Sequence, residues 1–139
     1  MKEHHTKYKG DLGVLKVQLD LYEKGYKSYT GTSEHDPFDL IAYKEGGIFK
    51  RVQIKYRSVN KNGTIIVDLQ TSWTDKRGTH KNPVDKDEID LFAVYCPETN
   101  ECYYFNPKDF DETVTLRVEE SKNNQTVGVH MASDFKQVL

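Results

Sequence analysis

The sequence is short, polar and almost neutral. It has 139 residues, of which 36% are hydrophobic and 30% charged, and a formal net charge of −2. No apolar run approaches the roughly 20 residues that a membrane-spanning helix needs, and the start MKEHHTKYKG lacks the apolar stretch of a signal peptide. We therefore expect a single cytoplasmic domain over residues 1–139, with one hydrophobic core and no membrane contact.

The two cysteines do not suggest a metal site. Cys96 and Cys102 flank the turn-like segment PETN, and no histidine lies near them. A zinc site needs four clustered ligands, so we expect reduced thiols packed in the core.

The charges are segregated along the chain. Residues 48–82 carry eight basic and two acidic side chains, whereas residues 83–120 carry eleven acids and three bases. This segregation can direct one basic face at a polyanion. Solvated strand edges and loops would give the same pattern, so charge alone leaves both interpretations open.

The first predicted element is a helix from Lys7 to Lys24. Leu12, Leu15, Leu19 and Tyr22 recur at steps of three and four residues, which predicts one apolar helix face. Gly25 follows directly and can end the helix in the left-handed conformation.

Strands and turns follow the helix. The polar segment TDKRGTHKNPVDKDE has no periodicity and predicts a long, mobile loop, and NNQTVGV predicts a last turn. The order of elements predicts an α/β fold in which the N-terminal helix packs on a central mixed, mostly antiparallel sheet. The predicted strands are KSYT, FDLIAY, IFKRVQIKYRS, TIIVDLQTSW, IDLFAVYC, ECYYFNP and TVTLRVE.

Three polar residues interrupt two of these strands. Side chains alternate along a strand, so Gln53 and Lys55 share one face of the sheet. If the KEGG segment closes a hairpin, Asp39 on the neighbouring strand reaches the same face. Because buried polar groups need partners, we expect these three to serve one another, a metal or a ligand.

The chemistry of these residues suits a hard cation. Mg²⁺ prefers oxygen ligands, and three are available: the Asp39 carboxylate, the Gln53 amide oxygen and the Ile54 backbone carbonyl. Lys55 can orient or deprotonate a water, or neutralise charge on a phosphate. Taken singly, each residue has a plainer interpretation, such as an edge-strand acid or a lysine that prevents aggregation.

The run Asp39, then Gln53-Ile54-Lys55, after Pro37 and the helix opening KYKGDLG, resembles the PD-(D/E)XK nuclease superfamily, with Gln in place of its central acid. It is most similar to the small branch that includes group I intron-encoded homing endonucleases. The resemblance covers most of the chain and includes the IDLFAVYC and ECYYFNP hairpin.

The resemblance implies a restriction-endonuclease-like core and a metal-dependent DNA endonuclease of prokaryotic or phage-like origin. It implies Mg²⁺ as cofactor, with Mn²⁺ as a substitute. Asp39 would bind the metal, Gln53 would contact the metal or its water, and Lys55 would act beside the attacking water. Cutting two DNA strands requires two sites, so we expect a homodimer or homotetramer.

The sequence departs from the family pattern on the first helix. Family members place a Glu where this chain has Val14, and the nearby acid, Asp11, is a weak candidate to replace it. The alternatives are therefore a weakened or inactive nuclease fold that still binds DNA, and a nuclease that recognises Holliday junctions.

Basic residues of the same region are candidates for phosphate contacts. They would add salt-dependent affinity for DNA, although the loop that carries three of them could also contact nothing. These residues are Arg57, Lys61, Lys76, Arg77 and Lys81.

Overall fold

The computed structural model describes residues 6–33, 35–119 and 129–138. One long helix, α1 (Thr6–Glu23), comes first, and the strands follow it, with short 3₁₀ helices at Lys86–Glu88, Pro107–Asp109 and Ala132–Phe135. The strands are β1 (Tyr26–Tyr29), β2 (Leu40–Lys44), β3 (Ile48–Tyr56), β4 (Thr64–Asp68), β5 (Gln70–Asp75), β6 (Gly78–Pro83), β7 (Leu91–Cys96), β8 (Glu101–Phe105), β9 (Thr113–Arg117) and β10 (His130–Met131).

Most strands belong to two sheets. The central sheet has the order β1-β2-β3-β7-β8, and a smaller sheet has the order β10-β9-β4. In the central sheet β3 and β7 run parallel, while the other neighbours are antiparallel. The predicted α/β fold, with a helix on a mixed, mostly antiparallel sheet, is confirmed.

The central sheet separates two apolar clusters. On one face Val52 and Ile54 of β3 pack with Val17 and Leu21 of α1. On the other face β7 and β8 pack against β4 and β9 of the smaller sheet. The layers are therefore helix, central sheet and smaller sheet, and the smaller sheet buries the β7 and β8 end of the central one.

Most of the predicted apolar face of the helix is exposed, although Leu12 is half-buried against the core. Leu15 is 62% exposed, Leu19 55% and Tyr22 69%, while Val17 and Leu21 on the opposite side are fully buried. The helix carries an apolar stripe on each side, and periodicity alone could not select between them. The packing of α1 on β3 decides it, with Gly13 buried against Tyr56 and Ile54.

The segment predicted as a long loop is largely a hairpin. β5 and β6 pair antiparallel from Gln70 with Pro83 to Asp75 with Gly78, and Gly78 has a φ of +117° in the turn. Sequence periodicity missed it because β6 is exposed along its length apart from half-buried His80, so no apolar alternation marks the strand. The predicted strand TIIVDLQTSW is also divided, since Leu69 separates β4 from β5.

Other predictions concern single features. The thiols of Cys96 and Cys102 are free and buried, as expected, and burial raises the pKa of Cys102 to about 12. Within the described ranges no helix has the length and apolar character to cross a membrane. The turn predicted at Asn123 and Asn124 lies outside the described residues.

Candidate active site

Asp39 directly precedes β2 and is bonded to β3. The Asp39 amide donates to the Val52 carbonyl at 2.8 Å, and Leu40 pairs with Val52. The Asp39 backbone is therefore bonded to β3 directly before the paired part of β2 begins. Because Val52 and Ile54 face α1, Gln53 and Lys55 point to the other side of the sheet.

The Asp39 carboxylate closes the end of the ladder between β2 and β3. Its Oδ2 accepts a hydrogen bond from the Ile54 amide at 2.7 Å. The carboxylate oxygen takes the place of the backbone carbonyl that would accept this bond if β2 began earlier. Its Oδ1 accepts no hydrogen bond from the residues that the structure describes. Since the N–H and C=O of one strand residue point the same way, the Ile54 carbonyl is directed past the end of β2 as well.

Lys55 connects β3 to the start of β5. The half-buried side chain donates through Nζ to the Gln70 carbonyl at 3.3 Å. Gln70 is the first residue of β5. The ammonium group is thus held between the central sheet and the base of the β5–β6 hairpin.

Burial shifts the pKa values of Asp39 and Lys55. Although Asp39 is exposed as a residue, desolvation of its inward carboxylate raises its pKa, against the lowering effects of the Ile54 amide and Lys55. Desolvation and nearby Arg57 lower the pKa of Lys55, against the opposite effect of Asp39. The two side chains interact electrostatically, and among the described residues no direct ion pair joins them.

Asp68 lies near the candidate site, and the sequence did not indicate it. It ends β4, and its charge partly offsets the lowering of the pKa values of Lys55 and Arg57 by burial. Its Oδ1 accepts from the Thr113 hydroxyl at 3.3 Å. Asp68 is brought near β3 by the packing of the smaller sheet on the central one, so no local sequence pattern could have identified Asp68.

The predicted DNA-binding residues divide into two groups. Arg57 continues the Gln53 and Lys55 face of the chain, donates to the Tyr56 carbonyl at 2.8 Å and has its pKa lowered by burial. Lys61 is exposed in the turn between β3 and β4. The others belong to the exposed β5–β6 hairpin: Lys76, Arg77 and Lys81.

The helix does not bring a carboxylate to this group. Val14 is half-buried and packs against the cluster under α1. Asp11 is exposed, and the contacts of the described part of the chain include none between Asp11 and Asp39.

An ion pair between Arg51 and Asp90 fixes the register beside the site. Asp90, directly before β7, accepts from the Arg51 amide at 2.8 Å and from its Nε and Nη2 at 2.9 Å each. The Asp90 amide donates back to the Arg51 carbonyl at 2.9 Å. These bonds hold β7 parallel to β3 two residues from Gln53, and Arg51 holds the pKa of Asp90 at about 2.

The oxygen atoms at the end of β2 are suited to a hard cation but include one carboxylate. Asp39 Oδ1, the Gln53 amide and the Ile54 carbonyl are all ligand types that Mg²⁺ accepts, with water completing its shell. Within the described ranges no cluster of three or more His, Cys, Asp or Glu residues could hold a metal. The donor chemistry therefore fits a weakly held Mg²⁺ better than a tightly bound transition metal.

Comparison with known proteins identifies the family. The model of the PD-(D/E)XK endonuclease family matches residues 4–138. The chain belongs to this nuclease family. No curated protein matches it.

A solved structure shows the same fold. It is that of the bacterial homing endonuclease I-Ssp6803I, which is 19% identical with a TM-score of 0.73, over 96% of this chain and 89% of that one. At this identity the similarity concerns the fold, and the restriction-endonuclease-like architecture is confirmed.

Proposed function

We propose that this single-domain protein is a metal-dependent DNA endonuclease that hydrolyses phosphodiester bonds, with Asp39, Gln53 and Lys55 at its active site. One observation supports the proposal: the Asp39 carboxylate is held at the open end of the β2–β3 ladder by the Ile54 amide, between Gln53 and Lys55 in the sequence of β3. Family membership supports the reaction class. Similarity to a homing endonuclease favours a specific DNA site as substrate.

Asp39, Gln53 and the Ile54 carbonyl would hold Mg²⁺, or Mn²⁺ in its place. When bound, the ion would lower the pKa of a coordinated water and neutralise charge on the scissile phosphate. Asp39 contributes the negative charge, and its bond to the Ile54 amide fixes the orientation of the carboxylate.

Lys55 acts on the attacking water or on the phosphate. Its lowered pKa makes a proton-accepting role easier than for an exposed lysine. Its bond to the Gln70 carbonyl holds Nζ in place, and the space between Lys55 and Asp39 is where the phosphate would lie. Arg57 and Lys61 extend the positive charge along the DNA backbone.

The protein is proposed to act in the cytoplasm as a homodimer or homotetramer. A single site cuts one strand, so double-strand cleavage needs two copies. The exposed stripe of α1, with Leu15, Leu19 and Tyr22, supports self-association, because exposed apolar patches commonly mark contact surfaces.

A second candidate function is a DNA-binding module without cleavage. The single carboxylate among the proposed ligands and the half-buried Val14 on α1 favour it. Both would weaken metal binding, because ligand charge largely sets the affinity for hard cations.

Cleavage of a panel of DNAs decides between these functions. Supercoiled plasmid, random linear duplex and a four-way junction are incubated with protein and Mg²⁺ or Mn²⁺, with EDTA as control. The nuclease proposal expects cleavage that EDTA abolishes, and preference for the junction would indicate a junction resolvase. Binding that decreases with salt, without cleavage in either metal, would contradict the nuclease and support the binding module.

A further inference from the structure

The β5–β6 hairpin is built to project from the molecule. Its base is anchored by Leu69 and Val84, which are buried in the core under the smaller sheet, and the Val84 amide donates to the Leu69 carbonyl at 3.1 Å. Beyond this point each strand has six residues, which gives a ribbon of about 20 Å at 3.3 Å per residue.

The base of the ribbon touches the candidate active site. Gln70, the first residue of β5, accepts the hydrogen bond from Lys55 Nζ. The bond between Lys55 and Gln70 therefore fixes the base of the ribbon beside the proposed position of the scissile phosphate.

The ribbon has one face and a tip suited to DNA. Cross-strand partners share a face, so Thr74 and Thr79, whose hydroxyls are 3.2 Å apart, lie on the same side as exposed Lys81. Exposed Lys76 and Arg77 form the tip. This side carries hydrogen-bonding groups and positive charge without an acid.

The opposite face is less suited to approach DNA. It carries the Asp75 carboxylate, which accepts from the Arg77 amide at 2.8 Å and pairs with His80 at 2.9 Å. These bonds shape the turn, and the backbone bond fixes the start of the tip. The DNA phosphates would repel the Asp75 carboxylate. We therefore expect the face with Lys81 to contact the bases.

We propose that the β5–β6 hairpin inserts into the major groove of duplex DNA and reads base edges through Thr74, Thr79 and Lys81, with Arg77 at its tip. The major groove, about 12 Å wide, admits a two-stranded ribbon, and Lys and Arg bind guanine while Thr contacts several bases. The inference rests on the proposed function, since it places this groove beside the phosphate to be cut.

The test compares two duplexes of equal sequence. One is unmodified; in the other every cytosine carries a glucosylated hydroxymethyl group at C5, which fills the major groove and leaves the minor groove unchanged. Affinity is measured by fluorescence anisotropy in Ca²⁺, and cleavage of unmodified plasmid in Mg²⁺ is measured in parallel. The wild type should bind the modified duplex about tenfold more weakly or worse.

Three variants assign the effect to the ribbon. The first replaces residues 71–82 by Asn-Gly, which closes Gln70 and Pro83 as a two-residue hairpin; it should bind both duplexes within about twofold of each other. The second, Arg77→Ala with Lys81→Ala, keeps the hairpin and should lose part of the discrimination. The control, Lys27→Ala with Lys108→Ala, removes two exposed charges elsewhere and should behave as the wild type.

The results separate this inference from the nuclease proposal. Equal binding of both duplexes by the wild type, or full discrimination by both hairpin variants, would overturn the inference even if plasmid is cut. Discrimination that depends on the hairpin, without plasmid cleavage, would support the ribbon and contradict the nuclease. A protein that neither binds nor cuts either DNA would overturn both.

Discussion

Replacing Asp90 by asparagine tests the bond that aligns β3 and β7 beside the site. Asp90→Asn keeps the size of the side chain but removes the negative charge of the carboxylate, whose oxygens accept hydrogen bonds from the Arg51 amide, Nε and Nη2. The variant also leaves a side-chain NH₂ group able to face the guanidinium. We expect the fold to persist with reduced stability.

The expected size follows from the pKa of Asp90, which Arg51 lowers from 3.8 to about 2. This difference corresponds to about 2.4 kcal/mol. The Arg51 and Asp90 side chains are 38% and 34% exposed, so solvent screening reduces the contribution to about 1 kcal/mol. Because the folded-state pKa is lowered, this stability is present above pH 4 and decreases as the pH falls, with about half remaining at pH 3.

Urea unfolding of the wild type and Asp90→Asn at pH 7, 5 and 3 measures the effect. The wild type should be about 1 kcal/mol more stable at pH 7 and 5, and the difference should shrink at pH 3. Asp87→Asn is the matched control, since the Asp87 pair with Lys108 is long and exposed and should contribute little. Equal stability at pH 7, or a difference independent of pH, would show that the charge of Asp90 does not hold this register.

Three further variants test the site and its surroundings. Asp39→Asn should be at least as stable as the wild type at pH 7 without metal, because a raised pKa means that ionised Asp39 lowers the folding stability. The increase in melting temperature that Mn²⁺ causes in the wild type should disappear in this variant, and a retained increase would contradict the ligand role of Asp39. Val14→Glu should lower stability by about 1–2 kcal/mol in urea while increasing metal-dependent cleavage, and unchanged cleavage would show that no carboxylate is missing there. Leu19→Glu, at a position 55% exposed, should fold normally but sediment as a monomer; unchanged assembly would place the interface elsewhere.

The sequence predicted the elements that have a strong local signal. The helix was expected at Lys7–Lys24 and lies at Thr6–Glu23, and Gly25 has a φ of +91° where a left-handed residue was expected. Its buried side was not predictable, because both apolar stripes satisfy the helical period. The choice between them is made by tertiary packing, which places Val17 and Leu21 against the central sheet.

The candidate site was predictable in part. Strand alternation was enough to place Gln53 and Lys55 on one face of β3, and the hairpin turn predicted that β2 pairs antiparallel with β3, which the register confirms from Leu40 onward. The bond from the Ile54 amide to Asp39 and the bond from Lys55 to Gln70 depend on where β2 ends and where β5 begins. Such boundaries follow from packing rather than from local sequence, and so does the proximity of Asp68.

The most direct test of the proposed active site is single-turnover cleavage by Lys55→Ala and Lys50→Ala in Mg²⁺. Both variants remove one lysine from β3, but Lys50 lies on an alternate position and faces the other side of the sheet. The proposal predicts that the wild type and Lys50→Ala cut DNA at similar rates while Lys55→Ala is slower by about a hundredfold or more. Equal rates for the two variants would contradict the assignment of the site.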